Sequence, residues 1–142
     1  MSIVDKRREE TYKDARACLD KYGKCAIIRP PGFGKTGILT KFLTEYGNVL
    51  YLYPAEVVRD AVLSFYYGEN VPEDRKIDNV QFMTYAKLVL LKRWEMKAMG
   101  PFDLIITDEC HKLPFPHLGS GHPENDGLAK QRKMLRICPF RE

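Results

Sequence analysis

The sequence predicts an α/β fold, a parallel sheet flanked by helices, and three observations carry that reading. Short apolar runs alternate with amphipathic stretches of helical spacing over most of the chain. A glycine-rich segment, Arg29-Pro30-Pro31-Gly32-Phe33-Gly34-Lys35-Thr36, separates the first apolar run from the helical stretch after it. A later apolar run, Phe102 to Thr107, ends in the adjacent carboxylates Asp108 and Glu109. Strands that alternate with helices of this length imply right-handed crossovers, and ligands then gather at the carboxyl ends of the strands.

Residues 5–21 place Ala15, Cys18 and Leu19 at helical spacing and stop at Tyr22-Gly23, so a leading helix is expected. Cys25 to Ile28 is the first strand. A helix over 35–46 follows, with Ile38, Leu39, Phe42 and Leu43 on its buried face and Gly47 closing it. Asn48 to Tyr53 reads as the second strand, and 55–67 as a helix packed through Val57, Val58, Ala61, Val62 and Phe65. After a polar loop from Gly68 to Asp78 come a strand from Val80, a helix over 86–98 and the turn Met99-Gly100-Pro101, which delivers the chain into the strand that ends in acid. From Leu113 on, prolines and glycines crowd a segment with no apolar periodicity. It is read as an irregular tail, residues 114–142, with at most a short basic helix over 128–137, after a single domain over residues 1–113.

The glycine-rich segment has the chemistry of a nucleoside triphosphate site. Gly32 and Gly34 let backbone N–H groups turn toward anionic oxygens, and the start of the following helix adds a favourable dipole. Lys35 neutralises the terminal phosphates, and Thr36 offers its hydroxyl to Mg²⁺. The nucleotide-binding residues expected are thus Pro31, Gly32, Phe33, Gly34, Lys35, Thr36 and Gly37. The full motif opens on a glycine where this chain has Arg29. Asp108, at the end of its strand, is suited to hold Mg²⁺, and Glu109 to polarise the water that attacks the γ-phosphate. Together these segments define a P-loop NTPase with ATP and Mg²⁺ as cofactors, in which Lys35, Asp108 and Glu109 are the catalytic candidates.

Gly32-Phe33-Gly34-Lys35-Thr36 together with Asp108-Glu109-Cys110-His111 resembles motifs I and II of the superfamily 2 DExH-box helicases, in particular the branch of restriction-enzyme motor subunits and phage helicases. Asn48 to Pro54 and the residues from Ala55 look like motif Ia; Val80 to Leu88 is similar to motif Ib. The resemblance covers about residues 10–113. It implies the first RecA-like domain of a helicase or translocase motor, cut before motif III, in which Pro54, Ala55, Thr84 and Tyr85 touch the phosphates of a nucleic acid, DNA in preference to RNA. His111, the last residue of the acidic box, would couple nucleotide state to a neighbouring domain. No Ser/Thr-Ala-Thr segment follows the acidic box, and the second RecA-like domain, with its arginine finger, is expected to be missing from the chain. The glutamine that reads adenine in this family is absent from the leading helix, which leaves Tyr12 or Arg8 to stack on the base. Two other readings stand beside this one: a P-loop ATPase of another class, such as a packaging or clamp-loading motor, and an inactive fragment.

Length and charge are consistent with that reading. At 142 residues the chain suits one core and falls short of two domains. A net charge of +4 permits a nucleic-acid partner without demanding one. Four cysteines without CxxC spacing suit free thiols in a cytoplasmic protein, and His111, His117, His122 and Cys138 match no structural zinc pattern. Neither a signal peptide nor an apolar run of membrane-spanning length is evident, so no membrane partner is expected.

Overall fold

The computed structural model describes residues 2–29, 34–109 and 133–139. Within them lie the helix α1 (Ile3–Tyr22), the strand β1 (Lys24–Arg29), α2 (Lys35–Glu45), β2 (Val49–Tyr53), α3 (Glu56–Tyr67), β3 (Val80–Thr84), α4 (Tyr85–Leu90), α5 (Arg93–Met99), β4 (Leu104–Asp108) and β5 (Lys133–Pro139). The five strands form one sheet in the order β1-β5-β4-β2-β3, and every neighbouring pair is parallel.

Side chains alternate across the sheet as the pleat requires. Val49, Tyr51 and Tyr53 of β2 join Leu104 and Ile106 of β4, Ile27 of β1 and Leu135 of β5 on one face, under Leu19 of α1, Leu39, Phe42 and Leu43 of α2 and Val62 and Leu63 of α3. Leu50, Leu52 and Ile105 point the other way and meet Leu88 of α4, with Met96 and Met99 of α5 packed against them. With helices on both faces, β2 is buried at every position and β4 at all but its last, which is the pattern expected of a parallel sheet.

Local chemistry sets the helix ends. Ser2 and Asp5 form a reciprocal capping box at the start of α1, and Gly23, at φ 73°, closes it in the left-handed conformation. The end of α2 is held differently from the expected glycine stop at Gly47. Its C-cap is Tyr46, in extended conformation, and the Asn79 side-chain amide donates to the carbonyls of Leu43 and Tyr46 at 2.6 and 2.8 Å. An amide reaching in from a distant loop thus satisfies carbonyls that a helix end leaves orphaned.

Three expectations need correction. The single helix over 86–98 is two, α4 and α5, separated by Leu91 and Lys92 in extended conformation. On one straight helix Leu91 and Met96 would lie about 140° apart; the break lets both turn toward the cluster around Leu50. In α3, Val57, Ala61 and Phe65 are exposed, and the helix packs through Val62 and Leu63. The irregular tail contains β5, so the sheet extends past residue 113, and the helix expected over 128–137 is a strand from Lys133 onward. Lys133 and Arg136 interrupt the apolar run that a strand buried on both faces usually shows, which is why the segment did not read as one. Residues 110–132, with His111, His117 and His122, lie outside the described residues.

Candidate functional site

The site lies where β1 and β4 end and α2 begins. Gly34, at φ 90°, is the N-cap of α2, in a region that disfavours any residue with a side chain. A Cβ there would also fall 2.5 Å from the Arg8 guanidinium. Lys35 and Thr36 follow in the first turn of α2. Their helix crosses the face of the sheet between β1 and β2, which brings its start close to the end of β4. Lys35, Thr36, Leu39, Val57, Val58, Ala61, Asp108 and Glu109 line one cleft of about 290 Å³. Val57 and Ala61, exposed on α3, are accounted for as its apolar wall.

Asp108 is tightly held. Tyr51 Oη donates to Asp108 Oδ2 at 2.6 Å, the backbone N–H of Glu109 donates to Asp108 Oδ1 at 2.9 Å, and the Tyr85 hydroxyl donates to the Asp108 carbonyl. Burial pushes the Asp108 carboxyl above its ordinary range, against the hydrogen bonds from Tyr51 and Glu109 and the charge of Lys35, which pull it down. The Tyr51 hydroxyl is raised well above its own range, first by burial and then by the Asp108 carboxylate. Glu109 sits at φ 48°, a left-handed backbone unusual for a glutamate, so the chain turns sharply as the strand ends. A carboxylate and a threonine hydroxyl on one cleft wall are hard oxygen donors, and they suit Mg²⁺.

Of the residues expected from sequence, the structure brings together Lys35, Thr36, Asp108 and Glu109. Gly34 caps α2 and Gly37 lies within it, its N–H bonded to the Gly34 carbonyl at 3.1 Å. Pro31, Gly32 and Phe33 lie outside the described residues, as do Cys110 and His111. Pro54 and Ala55 follow β2, and Ala55 is the N-cap of α3. Thr84 caps α4, its hydroxyl accepting from the Lys87 N–H at 3.2 Å, and its exposure is intermediate. Tyr85 is buried and its hydroxyl donates to the Asp108 carbonyl, so its side chain supports the acidic end of β4. Tyr12 is half-buried against Phe42, with ring centroids 5.0 Å apart, and Lys41 lies over its ring, while Arg8 lies beside Gly34 in a second cleft of about 430 Å³. Tyr51, which the sequence reading missed, and Tyr85, which it singled out for another role, supply the two hydroxyls that hold Asp108. A tyrosine in an otherwise aliphatic inner strand, such as Tyr51, was the available signal, since a buried phenol needs a partner.

The fold is a parallel α/β sheet with helices on both faces, and it matches the RecA-like domain of a solved helicase. Over 90% of this chain the structure is similar to that of the UvsW helicase from bacteriophage T4, with a TM-score of 0.60 and 18% sequence identity. The chain spans about half, 51%, of that protein's length. No protein-family model and no curated protein matches the sequence. Among the described residues no helix is long and apolar enough to cross a membrane, and no cluster of three metal-ligating side chains is found.

Proposed function

We propose that this chain is an ATP-binding and ATP-hydrolysing motor domain of the superfamily 2 helicase or translocase type, working on nucleic acid together with a second RecA-like domain. The observation that carries the proposal is the meeting of Lys35, Thr36, Asp108 and Glu109 in one cleft, although more than seventy residues of chain separate the first pair from the second. The likeness in fold to UvsW favours the helicase reading over a P-loop motor of another class.

In this reading Lys35 neutralises charge on the terminal phosphates, and Thr36 and Asp108 would hold Mg²⁺, which supplies charge neutralisation at the β/γ-phosphates when bound. Tyr51 and the Glu109 N–H fix the Asp108 carboxylate in advance, so little reorganisation is needed on binding. Glu109 orients the attacking water and takes its proton. The arginine of a second domain is worth about 10³–10⁵ in rate in related phosphoryl transfer, so the chain alone is expected to bind ATP far better than it turns it over. A nucleic-acid strand would run past Pro54-Ala55 and Thr84, which follow neighbouring strands and emerge on the carboxyl edge of the sheet.

Calorimetry with ATP and Mg²⁺ tests this on the intact chain and two variants. Lys35→Ala is expected to lose most of the affinity at an unchanged melting temperature. Glu109→Gln is expected to keep the affinity and, joined to a complete second domain, to lose turnover by at least about 100-fold. Unchanged affinity in Lys35→Ala would sink the nucleotide assignment.

A further inference from the structure

We propose that α4 and α5 carry a stacking site for unpaired bases of a single-stranded nucleic acid, with Trp94 as the platform and Lys87, Lys92, Arg93 and Lys97 as the phosphate contacts beside it. Trp94 is 66% exposed and is the only tryptophan in the chain. On α5 it lies about 200° from Met96, which packs against the Leu50 cluster, so its outward direction is fixed by the packing of its own helix. Lys97 is three residues on, on the same face as Trp94. Next along the chain, Leu90 is 80% and Val89 40% exposed, which extends the apolar surface toward α4.

The charge around this surface selects the occupant. Between residues 80 and 100 the four cations face a single carboxylate, Glu95. All four are exposed, and among the described residues none forms an ion pair. On α1, by contrast, Arg8, Lys13 and Arg16 each pair with a carboxylate three or four residues away. Protein interfaces are depleted in lysine, so an exposed tryptophan among unpaired lysines fits a polyanion with flat bases better than a protein partner. Stacking tolerates any base, since every base presents a π-face. Thr84, one of the residues proposed to meet the strand, is the N-cap of α4, the helix next to α5 in the chain. The inference rests on the nucleic-acid part of the proposed function and is independent of ATP turnover.

Because the chain has one tryptophan, its emission reports residue 94 directly. A short oligothymidylate added to the intact chain is expected to quench that emission, while an abasic strand of equal length, with phosphates and no bases, binds more weakly and quenches little. Anisotropy of a labelled oligothymidylate should show Trp94→Ala binding about 5- to 150-fold more weakly, the effect of losing one stacked base. Trp94→Phe should recover most of the affinity. Lys92→Ala and Lys97→Ala should each reduce the salt slope by about one. Because the ring is exposed, thermal melts of these variants should overlay the parent. A strand that binds without quenching and is indifferent to Trp94→Ala overturns this site but leaves the loops at Ala55 and Thr84 standing. Absence of strand binding by the parent at low salt overturns both. A blue shift on anionic phospholipid vesicles, with no response to the strand, overturns it in favour of a membrane surface.

Discussion

At the residue scale, Asp108 combines a chemical role with a cost to the apo fold. Burial raises its carboxyl above the ordinary range, so folding penalises the charged form and the carboxylate costs stability once it ionises. The contribution is absent where both states are protonated, below the ordinary value of 3.8, and it subtracts stability as pH rises through the folded value. Asp108→Asn is therefore expected to raise the melting temperature of the nucleotide-free protein at pH 7, and the difference should vanish near pH 3. The same variant should lose Mg²⁺-dependent nucleotide affinity. Differential scanning calorimetry at the two pH values decides it; equal melting temperatures at pH 7 would contradict the buried-charge account. Tyr51→Phe removes the hydroxyl that donates to Asp108 at 2.6 Å while keeping the ring in its packing. It is expected to cost about 1–3 kcal/mol in chemical denaturation, because a partly buried carboxylate oxygen loses its partner.

The elements were legible to different degrees, and the reasons are physical. Lys35, Thr36, Asp108 and Glu109, which line one cleft, stood out because the phosphate and metal chemistry proposed for them restricts residue type within a few adjacent positions. Tyr51 and Tyr85 could not be assigned to Asp108, since the contacts that define their roles span 57 and 23 residues of sequence. The helix α1 was evident from its period and its glycine stop, and α2 from its period alone, whereas the break between α4 and α5 has no glycine or proline to announce it. It follows from where Leu91, Met96 and Met99 must pack. Asn79 shows the same dependence on distant partners: a loop asparagine in the sequence, it closes the far end of the helix that carries Lys35 and Thr36. Asn79→Ala is expected to destabilise the chain by about 1–3 kcal/mol, two carbonyls being left without their donor, with nucleotide affinity nearly unchanged because the site lies at the opposite end of α2. A urea titration beside calorimetry measures both.

For the whole molecule, the decisive feature is that β5 lies between β1 and β4. Without it the strand before the glycine-rich segment and the strand before the acidic pair would each expose an unpaired edge in the middle of the sheet, and Leu135 would leave the core. A chain ended at residue 132 is expected to lose its cooperative thermal transition by circular dichroism and to aggregate at micromolar concentration. A sharp melt from that chain would show that β5 is dispensable.

The position of β5 also bears on time. Cys25 pairs with Leu135, so partners in the centre of the sheet are about 110 residues apart, while β2 and β3 pair across a much shorter stretch. Chain closure over such a separation is slow, and synthesis proceeds at roughly 5–20 residues per second. The strand that leads into the glycine-rich segment is therefore among the first made and among the last to gain a neighbour on its inner side. During that interval the emerging polypeptide holds an apolar, unpaired strand, and β1 and β4 stay unbridged until residues 133–139 have been added.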